Sequence, residues 1–249
     1  MTKVFEAELQ DLARMVAEMG GLAERQITEA IEALTTRDLS RACRVIAADA
    51  PIDVMQRTIE ERAIETMAQR QRIDKDLRQV VGILRIANEL ERIGDLAKNI
   101  GKRIVVIGGV EISRRSMRGI RHLADFVQGQ CRDVLDSFAH GDLRMALDVW
   151  RRDEGADWLC TSLFRELLTD MTEDPAAVPS GIHLLFCTKN LERMGDHATN
   201  IAEVVHYMVT GRTLLAERPK ADATSMVTAA VAGAGGMLPA RAADLILQE

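Results

Sequence analysis

Apolar residues recur every three or four positions along most of this chain. Phe5, Leu9, Leu12, Val16, Met19 and Ala23 open the series, and Ile27, Ile31 and Leu34 continue it. A period near 3.6 predicts a helix with one buried stripe. Thr35-Thr36-Arg37-Asp38 ends that stripe. A second helical stretch is expected from Leu39 to Ala48, with Ala50-Pro51 as a kink or break. Ile52, Met55, Ile59, Ala63, Ile64 and Met67 resume the pattern to about Gln71. A third helix follows from about Asp76 to Ile107, with Ile83, Ile86, Leu90, Ile93, Ala97, Ile100 and Ile104 on its buried side and Gly108-Gly109 at its end. No alternating pattern of the strand kind interrupts the series.

From about Ile112 the plan repeats. Asp142-Leu143 answers Asp38-Leu39, Asp153 answers Asp49, and Asp157 answers Asp53, each 104 residues further on (49 to 153). The phrase Glu91-Arg92-Ile93-Gly94-Asp95-Leu96-Ala97-Lys98-Asn99-Ile100 returns as Glu192-Arg193-Met194-Gly195-Asp196-His197-Ala198-Thr199-Asn200-Ile201, here offset by 101 (91 to 192). The second copy therefore has a shorter loop before its last helix, near Asp174-Pro175 and Pro179-Ser180-Gly181. Helices joined by short loops pack antiparallel. The expected fold is all-α: two tandem, pseudo-repeated three-helix bundles, residues 1–109 and 110–215. Residues 216–249, with an Ala-, Gly- and Thr-rich stretch over 221–240, are expected to form a mostly flexible C-terminal tail with room for a short helix over Ala240 to Gln248.

Composition narrows the function classes. The core must be built from aliphatic residues, because 47% of the 249 residues are hydrophobic and only 3% aromatic. A formal net charge of −6, without a basic stripe, argues against nucleic-acid binding. Cys43, Cys131, Cys160 and Cys187 are scattered without a C-x-x-C pair, as expected for reduced thiols in the cytoplasm. The longest clean apolar run, Ile104 to Val110, includes two glycines and falls far short of the ~20 residues a membrane span needs, so no direct membrane insertion is expected. No G-x-x-x-x-G-K-[ST] loop is present, and no Ser/His/Asp or Cys/His pair stands at matching positions in both copies.

The chemistry-bearing feature is acidic. Glu91, Asp95 and Asn99, like Glu192, Asp196 and Asn200, fall at i, i+4 and i+8, which stacks three oxygen-bearing side chains on one helix face. On a helical wheel this face lies roughly opposite the apolar stripe, and a single such motif reads as solvated surface. Its recurrence at equivalent positions changes the balance, as does a second acid pair at i, i+4 in each copy, Asp49/Asp53 and Asp153/Asp157. If the helices carrying them are neighbours, each unit converges four carboxylates and an amide oxygen. Such donors suit Mg²⁺, Ca²⁺ or Mn²⁺, and iron or zinc also occupies carboxylate-rich sites. The candidate ligands for a divalent or trivalent metal ion are therefore Asp49, Asp53, Glu91, Asp95 and Asn99, and Asp153, Asp157, Glu192, Asp196 and Asn200. Glu203 extends the second stripe where the first has Lys102, making the first site the expected weaker binder.

Other features have ordinary readings. Glu203-Val204-Val205-His206 matches an E-x-x-H element but lacks a second copy, and His197 answers Leu96, as a surface or boundary residue would. Gly94 and Gly195 recur in mid-helix and predict close helix approach. Trp150 and Trp158 are expected in the core. Arg114, Arg115 and Arg118 read as a solvated helix start.

Asn88-Glu89-Leu90-Glu91-Arg92-Ile93-Gly94-Asp95 and the Leu191 to Ile201 segment resemble the paired signature of the PhoU family, and Phe5-Glu6-Ala7-Glu8-Leu9 resembles the family's start. The resemblance covers about residues 3–213. It implies tandem three-helix bundles and a non-enzymatic cytoplasmic negative regulator of phosphate uptake and phosphate-starvation signalling. It also implies contact with a phosphate-sensing histidine kinase and with the ATPase subunit of the phosphate ABC transporter, recruitment by such partners to the inner face of the membrane, and a homodimer or larger homo-oligomer. Metal clusters on the acidic motifs are a further implication. Two departures bear on this: Pro51 between Asp49 and Asp53 threatens to bend the first acid pair apart, and the tail beyond about Ala216 is additional. The rival reading is a metal-dependent enzyme or metal-storage protein built on the same carboxylates.

Overall fold

The stop signals at Thr35 to Asp38 and at Gly108-Gly109 become helix ends in the computed structural model, which describes residues 2–68, 74–110, 112–224 and 227. Ala50-Pro51 and Pro179-Ser180-Gly181 fall instead in the first turns of helices. The first unit comprises α1 (Thr2–Thr36), α2 (Leu39–Ala47), α3 (Asp49–Ala68) and α4 (Asp74–Ile107). The second comprises α5 (Arg114–His140), α6 (Leu143–Arg151), α7 (Asp153–Glu173) and α8 (Val178–Thr210), with one 3₁₀ turn over Pro175–Ala177 before α8. The middle arm of each three-helix bundle is thus broken into a short and a longer helix. No strand occurs among the described residues, and no described helix is long and apolar enough to cross a membrane.

The breaks repeat in atomic detail. Asp38 and Asp142 are the N-caps of α2 and α6: the Asp38 carboxylate accepts from Arg41 N–H, and that of Asp142 from Arg144 and Met145 N–H. In the residue before each cap the backbone is left-handed, at φ 58° for Arg37 and 63° for Gly141. Asp38 N–H then donates to Ala33 O (3.0 Å) and Asp142 N–H to Ser137 O (2.9 Å), so both preceding helices end on the same bond pattern. The second copy uses glycine there, whereas the first places an arginine in a conformation that costs L-residues free energy. Pro51 does not bend the first acid pair apart. Helix α3 starts at Asp49, so Pro51 lies in the first turn, where its missing N–H has no intrahelical acceptor.

The core lies between α1 and α4, between α5 and α8, and along the long antiparallel seam where α4 meets α8. Antiparallel direction follows from the pairs that meet: Glu89 with His197, Arg103 with His183, and Gln79 with Met208. The predicted stripe of α4 is buried throughout, from Ile83 to Ile104. Each such isoleucine contributes about 1.5–3 kcal/mol of apolar burial. Gly94 and Gly195 mark close approach. A Cβ at 94 would lie 3.0 Å from Ile52 Cδ1 and 3.2 Å from Gln26 Oε1; one at 195 would lie 3.1 Å from Gln130 Oε1 and 3.4 Å from Ala156 Cβ. Two core assignments fail: Ile64 is 61% exposed on the outer side of α3, and Trp158 is 69% exposed, pointing off α7 while Trp150 is buried. Burial pushes the thiols of Cys131, Cys160 and Cys187 up to about 12, which keeps them protonated.

The α4–α8 seam also holds a polar tie. Glu89 Oε2 lies 2.6 Å from His197 Nδ1 and accepts from Asn200 Nδ2 at 3.0 Å. Burial works to raise the Glu89 carboxyl, but the hydrogen bonds from His197 and Asn200 outweigh it, and the group ends below its ordinary value.

Two outcomes follow from this architecture. Arg37→Gly raises stability by roughly 0.5–1 kcal/mol in urea unfolding, because Arg37 is exposed and the change acts on the strained backbone alone. Glu89→Gln costs about 1–3 kcal/mol at neutral pH. A carboxyl lowered in the folded state stabilises above its unfolded value and loses that contribution as the pH falls through the folded one. The gap between wild type and Glu89→Gln therefore closes on acidification, which urea midpoints measured from pH 7 down to pH ~3 check.

Candidate functional site

The break between the two pieces of each middle arm positions the acids. Because α3 and α7 begin at Asp49 and Asp153, these residues sit in the first turn, where free backbone N–H groups favour negative charge. One turn later come Asp53 and Asp157. The neighbouring long helices supply Glu91 and Asp95 from α4, and Glu192 and Asp196 from α8.

In the second unit these residues converge. Asp157, Glu192 and Asp196 each bring a carboxylate oxygen to within 4.8 Å of the other two. Asp153 adjoins them, its Oδ1 accepting from Thr199 Oγ1 at 2.8 Å. Asp153, Asp157 and Glu192 are buried; Asp196 and Asn200 are half-buried. Burial raises the Glu192 carboxyl; a hydrogen bond from Lys189 opposes the rise, and the charges of Asp196 and Asp157 add to it. Asp157 is raised in the same way, first by burial, against a backbone hydrogen bond from Ala221 and the charge of Lys220. Glu192 Oε1 accepts from Lys189 Nζ at 2.9 Å, while its Oε2 is buried without a hydrogen-bond partner.

The first unit is looser. Burial raises the Glu91 carboxyl, Arg92 opposes this, and Asp95, Asp53 and Asp49 add to it. These four acids thus share one field, yet among the described residues they form no triangle of ligand oxygens like that of the second unit. Asn99 is exposed. Lys98 bridges Asp49 and Asp95, and Asp49 Oδ1 is left buried without a partner. The hydrogen bond to Asp49, against some desolvation, raises the Lys98 ammonium well above its usual range. Lys98 occupies the repeat position of Thr199, so one copy meets its first-turn aspartate with an ammonium and the other with a hydroxyl.

The cations at both sites escaped the sequence reading. Lys102, assigned there to weaken the first site, is exposed, and Glu203 accepts from Trp150 Nε1 at 3.1 Å while its charge also acts on Arg218. Laying the two phrases over each other shows Lys98 against Thr199, a signal that was available. In the second unit Lys189 of α8 pairs with Glu192, and the other cations come from the chain beyond α8, which was expected to be flexible from residue 216. Residues 216–224 instead lie on the bundle; 228–249, with the short helix proposed over 240–248, fall outside the described residues. Arg218 donates to Asp153 at 2.6 and 2.7 Å and to Asp196 Oδ1 at 2.8 Å, and Lys220 pairs with Asp196. Glu217-Arg218-Pro219-Lys220 carried a signal, two cations beside an acid-rich helix, that becomes readable only when the chain folds back. Of the remaining readings, His206 Nδ1 meets Arg212 O at 3.0 Å, away from Glu203, so the E-x-x-H spacing brings no pair together.

Lys98→Met leaves Asp49 buried with neither oxygen neutralised. It lowers stability by about 1–3 kcal/mol in urea unfolding, and Asp49→Asn in the same chain recovers most of the loss.

The model of the PhoU domain matches residues 16–104 and 120–205, one match for each unit. The chain is 48% identical over 221 residues to the phosphate-specific transport system accessory protein PhoU homolog of Rhizobium meliloti, covering 89% of this chain and 93% of that protein. It is 44% identical over 223 residues to the corresponding homolog of Caulobacter vibrioides, covering 90% and 97%. The crystal structure of PhoU from Pseudomonas aeruginosa superposes with a TM-score of 0.80 at 38% identity, covering 84% of this chain and all of that one. That of the phosphate transport system regulatory protein PhoU from Streptococcus pneumoniae does so at 0.78 and 26% identity, covering 84% of this chain and 99% of that one. With both units matched and the acidic phrases in equivalent places, the chain belongs to the PhoU family.

Proposed function

We propose that this protein is a negative regulator of phosphate uptake and phosphate-starvation signalling, acting by binding rather than by catalysis. The observation that carries this is the near end-to-end likeness to proteins named as phosphate-specific transport system accessory proteins, at up to 48% identity over 89% of the chain. In this reading the chain works in the cytoplasm as a homodimer or larger homo-oligomer. It joins the ATPase subunit of the phosphate ABC transporter to the phosphate-sensing histidine kinase and biases the kinase toward its silent state when phosphate is plentiful. Such an output is a population shift in the partner, and it requires only that the regulator bind one partner state more tightly.

The acidic clusters are the second part of the proposal. The donor set is oxygen throughout, three carboxylates of the second unit already face one another, and Glu192 Oε2 is buried without a hydrogen-bond partner. These features fit a hard cation such as magnesium or manganese, and equally iron, better than a metal that prefers thiolate or imidazole. Asp157, Glu192 and Asp196 would hold it, with Asp153 and Asn200 beside them; Asp49, Asp53, Glu91 and Asp95 are the looser counterpart in the first unit, and Asn99 at its edge is exposed. A bound cation would supply positive charge that ties α7 to α8 and cancels the mutual repulsion of the carboxylates.

The test is alkaline phosphatase output in phosphate-replete cells lacking the gene for this protein. Restored wild type is expected to repress it, and Glu192→Ala/Asp196→Ala, at equal protein level, to repress several-fold less. Wild type at normal level leaving phosphatase unchanged overturns the regulator reading. A double variant with full repression and unchanged metal content removes the acids from the mechanism.

A further inference from the structure

The second acidic cluster is covered by the chain's own segment beyond α8. Gly211 ends α8 with a left-handed backbone (φ 75°), and the chain turns back along the helix it has just left. Arg218 Nε and Nη2 grip Asp153 as a two-pronged fork, at 2.6 and 2.7 Å; Nη2 also reaches Asp196 Oδ1 at 2.8 Å and Asp196 O at 3.3 Å, and Nη1 reaches Asn200 Oδ1 at 3.2 Å. Lys220 Nζ pairs with the same Asp196 Oδ1 and lies 3.4 Å from Asp153 Oδ2 and 4.0 Å from Asp157 Oδ1. The backbone joins in: Ala221 N–H donates to Asp157 Oδ2 at 2.8 Å, and Ala223 N–H to Thr161 Oγ1 at 3.3 Å. Asp222 takes Lys189 at 2.7 Å, the same ammonium that holds Glu192.

We propose that residues 216–224 are a cationic latch on the second acidic cluster, and that the latch and a hard divalent cation exclude each other there. This inference rests on the metal reading of the cluster given above. Exclusion follows from the atoms used. Asp196 Oδ1 is spent on Arg218 and Lys220, and Asp157 Oδ2 on the Ala221 amide. A divalent ion needs such lone pairs at about 2.0–2.6 Å. It would also sit a few ångströms from the Lys220 ammonium, where like charges in a partly buried site repel strongly. Glu192 Oε2, buried and without a hydrogen-bond partner, is an oxygen of the triangle that the latch does not serve.

The latch is built to release. From Gly211 to Ala223 the chain has no helix of its own, and Leu215 is 93% exposed. The contacts to the cluster are polar, while Leu214 and Val227 are the apolar side chains that pack at either end among the described residues. Segments with few apolar anchors are the ones that open locally at low cost. Among the described residues the first cluster has no equivalent. After α4 the chain runs on into α5, and its counter-ion, Lys98, is on the helix that carries the acids and can only change rotamer. The two clusters thus differ: Lys98 serves the first from the helix that carries its acids, whereas in the second Lys189 of α8 serves Glu192 and the strap serves Asp153, Asp157 and Asp196. The strap also lies outside the two stretches matched to the PhoU domain, the second of which ends at residue 205.

The experiment is a titration of the full chain with Mn²⁺, reading free Mn²⁺ by electron paramagnetic resonance, for wild type and Arg218→Ala/Lys220→Ala. If the latch is open in about one molecule in ten, the variant binds Mn²⁺ about tenfold more tightly, since apparent affinity scales with the competent fraction. Asp157→Asn/Asp196→Asn added to the variant removes that gain. In parallel, hydrogen exchange on unmodified wild type is expected to show the Ala221 and Ala223 amides losing protection as Mn²⁺ saturates, a result independent of whether any variant folds. Equal Mn²⁺ affinity in wild type and variant, or unchanged protection of both amides at saturating Mn²⁺, overturns the latch and leaves the metal reading standing. Absence of Mn²⁺ binding in both chains overturns the metal reading and the latch with it.

Discussion

The packing of α4 against α8 is the constraint on which the rest depends. These are the equivalent helices of the two units, and they meet antiparallel along much of their length, so the fold is one structure rather than two beads on a string. The seam decides where everything else stands. Its apolar side takes the isoleucines of α4, and the glycines at 94 and 195 let the middle arms of the bundles approach. Its polar link, Glu89 with His197 and Asn200, adjoins the acidic cluster of the second unit, His197 following Asp196 directly. Asn200 is shared: its amide holds Glu89 across the seam while its oxygen receives Arg218.

Bringing the start of α7 onto α8 forces carboxylates of like sign together, and the structure answers that electrostatic problem differently in its two halves. In the first, an ammonium embedded in the same helix bridges Asp49 and Asp95. In the second, Thr199 contributes only a hydroxyl to Asp153, and positive charge must arrive from elsewhere. Lys189 on α8 and the cations at 218 and 220 deliver it. A duplicated unit that had kept both copies identical would have two equal sites. The exchange of lysine for threonine at one repeat position, together with a segment beyond α8 that folds back over the second unit, makes them unequal.

Much of the fold was legible from the pattern of side chains. The stripe from Ile83 to Ile104 and the stops at Asp38 and Asp142 follow from period and cap chemistry, and Ala50-Pro51 marked the break beside Asp49 to within two residues. These are local matters, settled within one or two helical turns. Ile64 and Trp158 were misread for a complementary reason: an apolar residue in register is not buried unless another element covers that side, and here none does. The ten acids and amides were likewise found from spacing alone, but spacing did not reveal that Asn99 stands exposed while Asp157, Glu192 and Asp196 close into a triangle.

By itself the sequence determined the helices, their order, the duplication and the identity of the acidic side chains, because each depends on residues a few positions apart. Only the tertiary structure decided which carboxylates are buried, which cation serves each, and that the segment beyond α8 returns to cover one cluster. Those outcomes are set by distances between elements as far apart as Asp153 and Arg218, and by the burial that makes an uncompensated charge there too costly to leave alone.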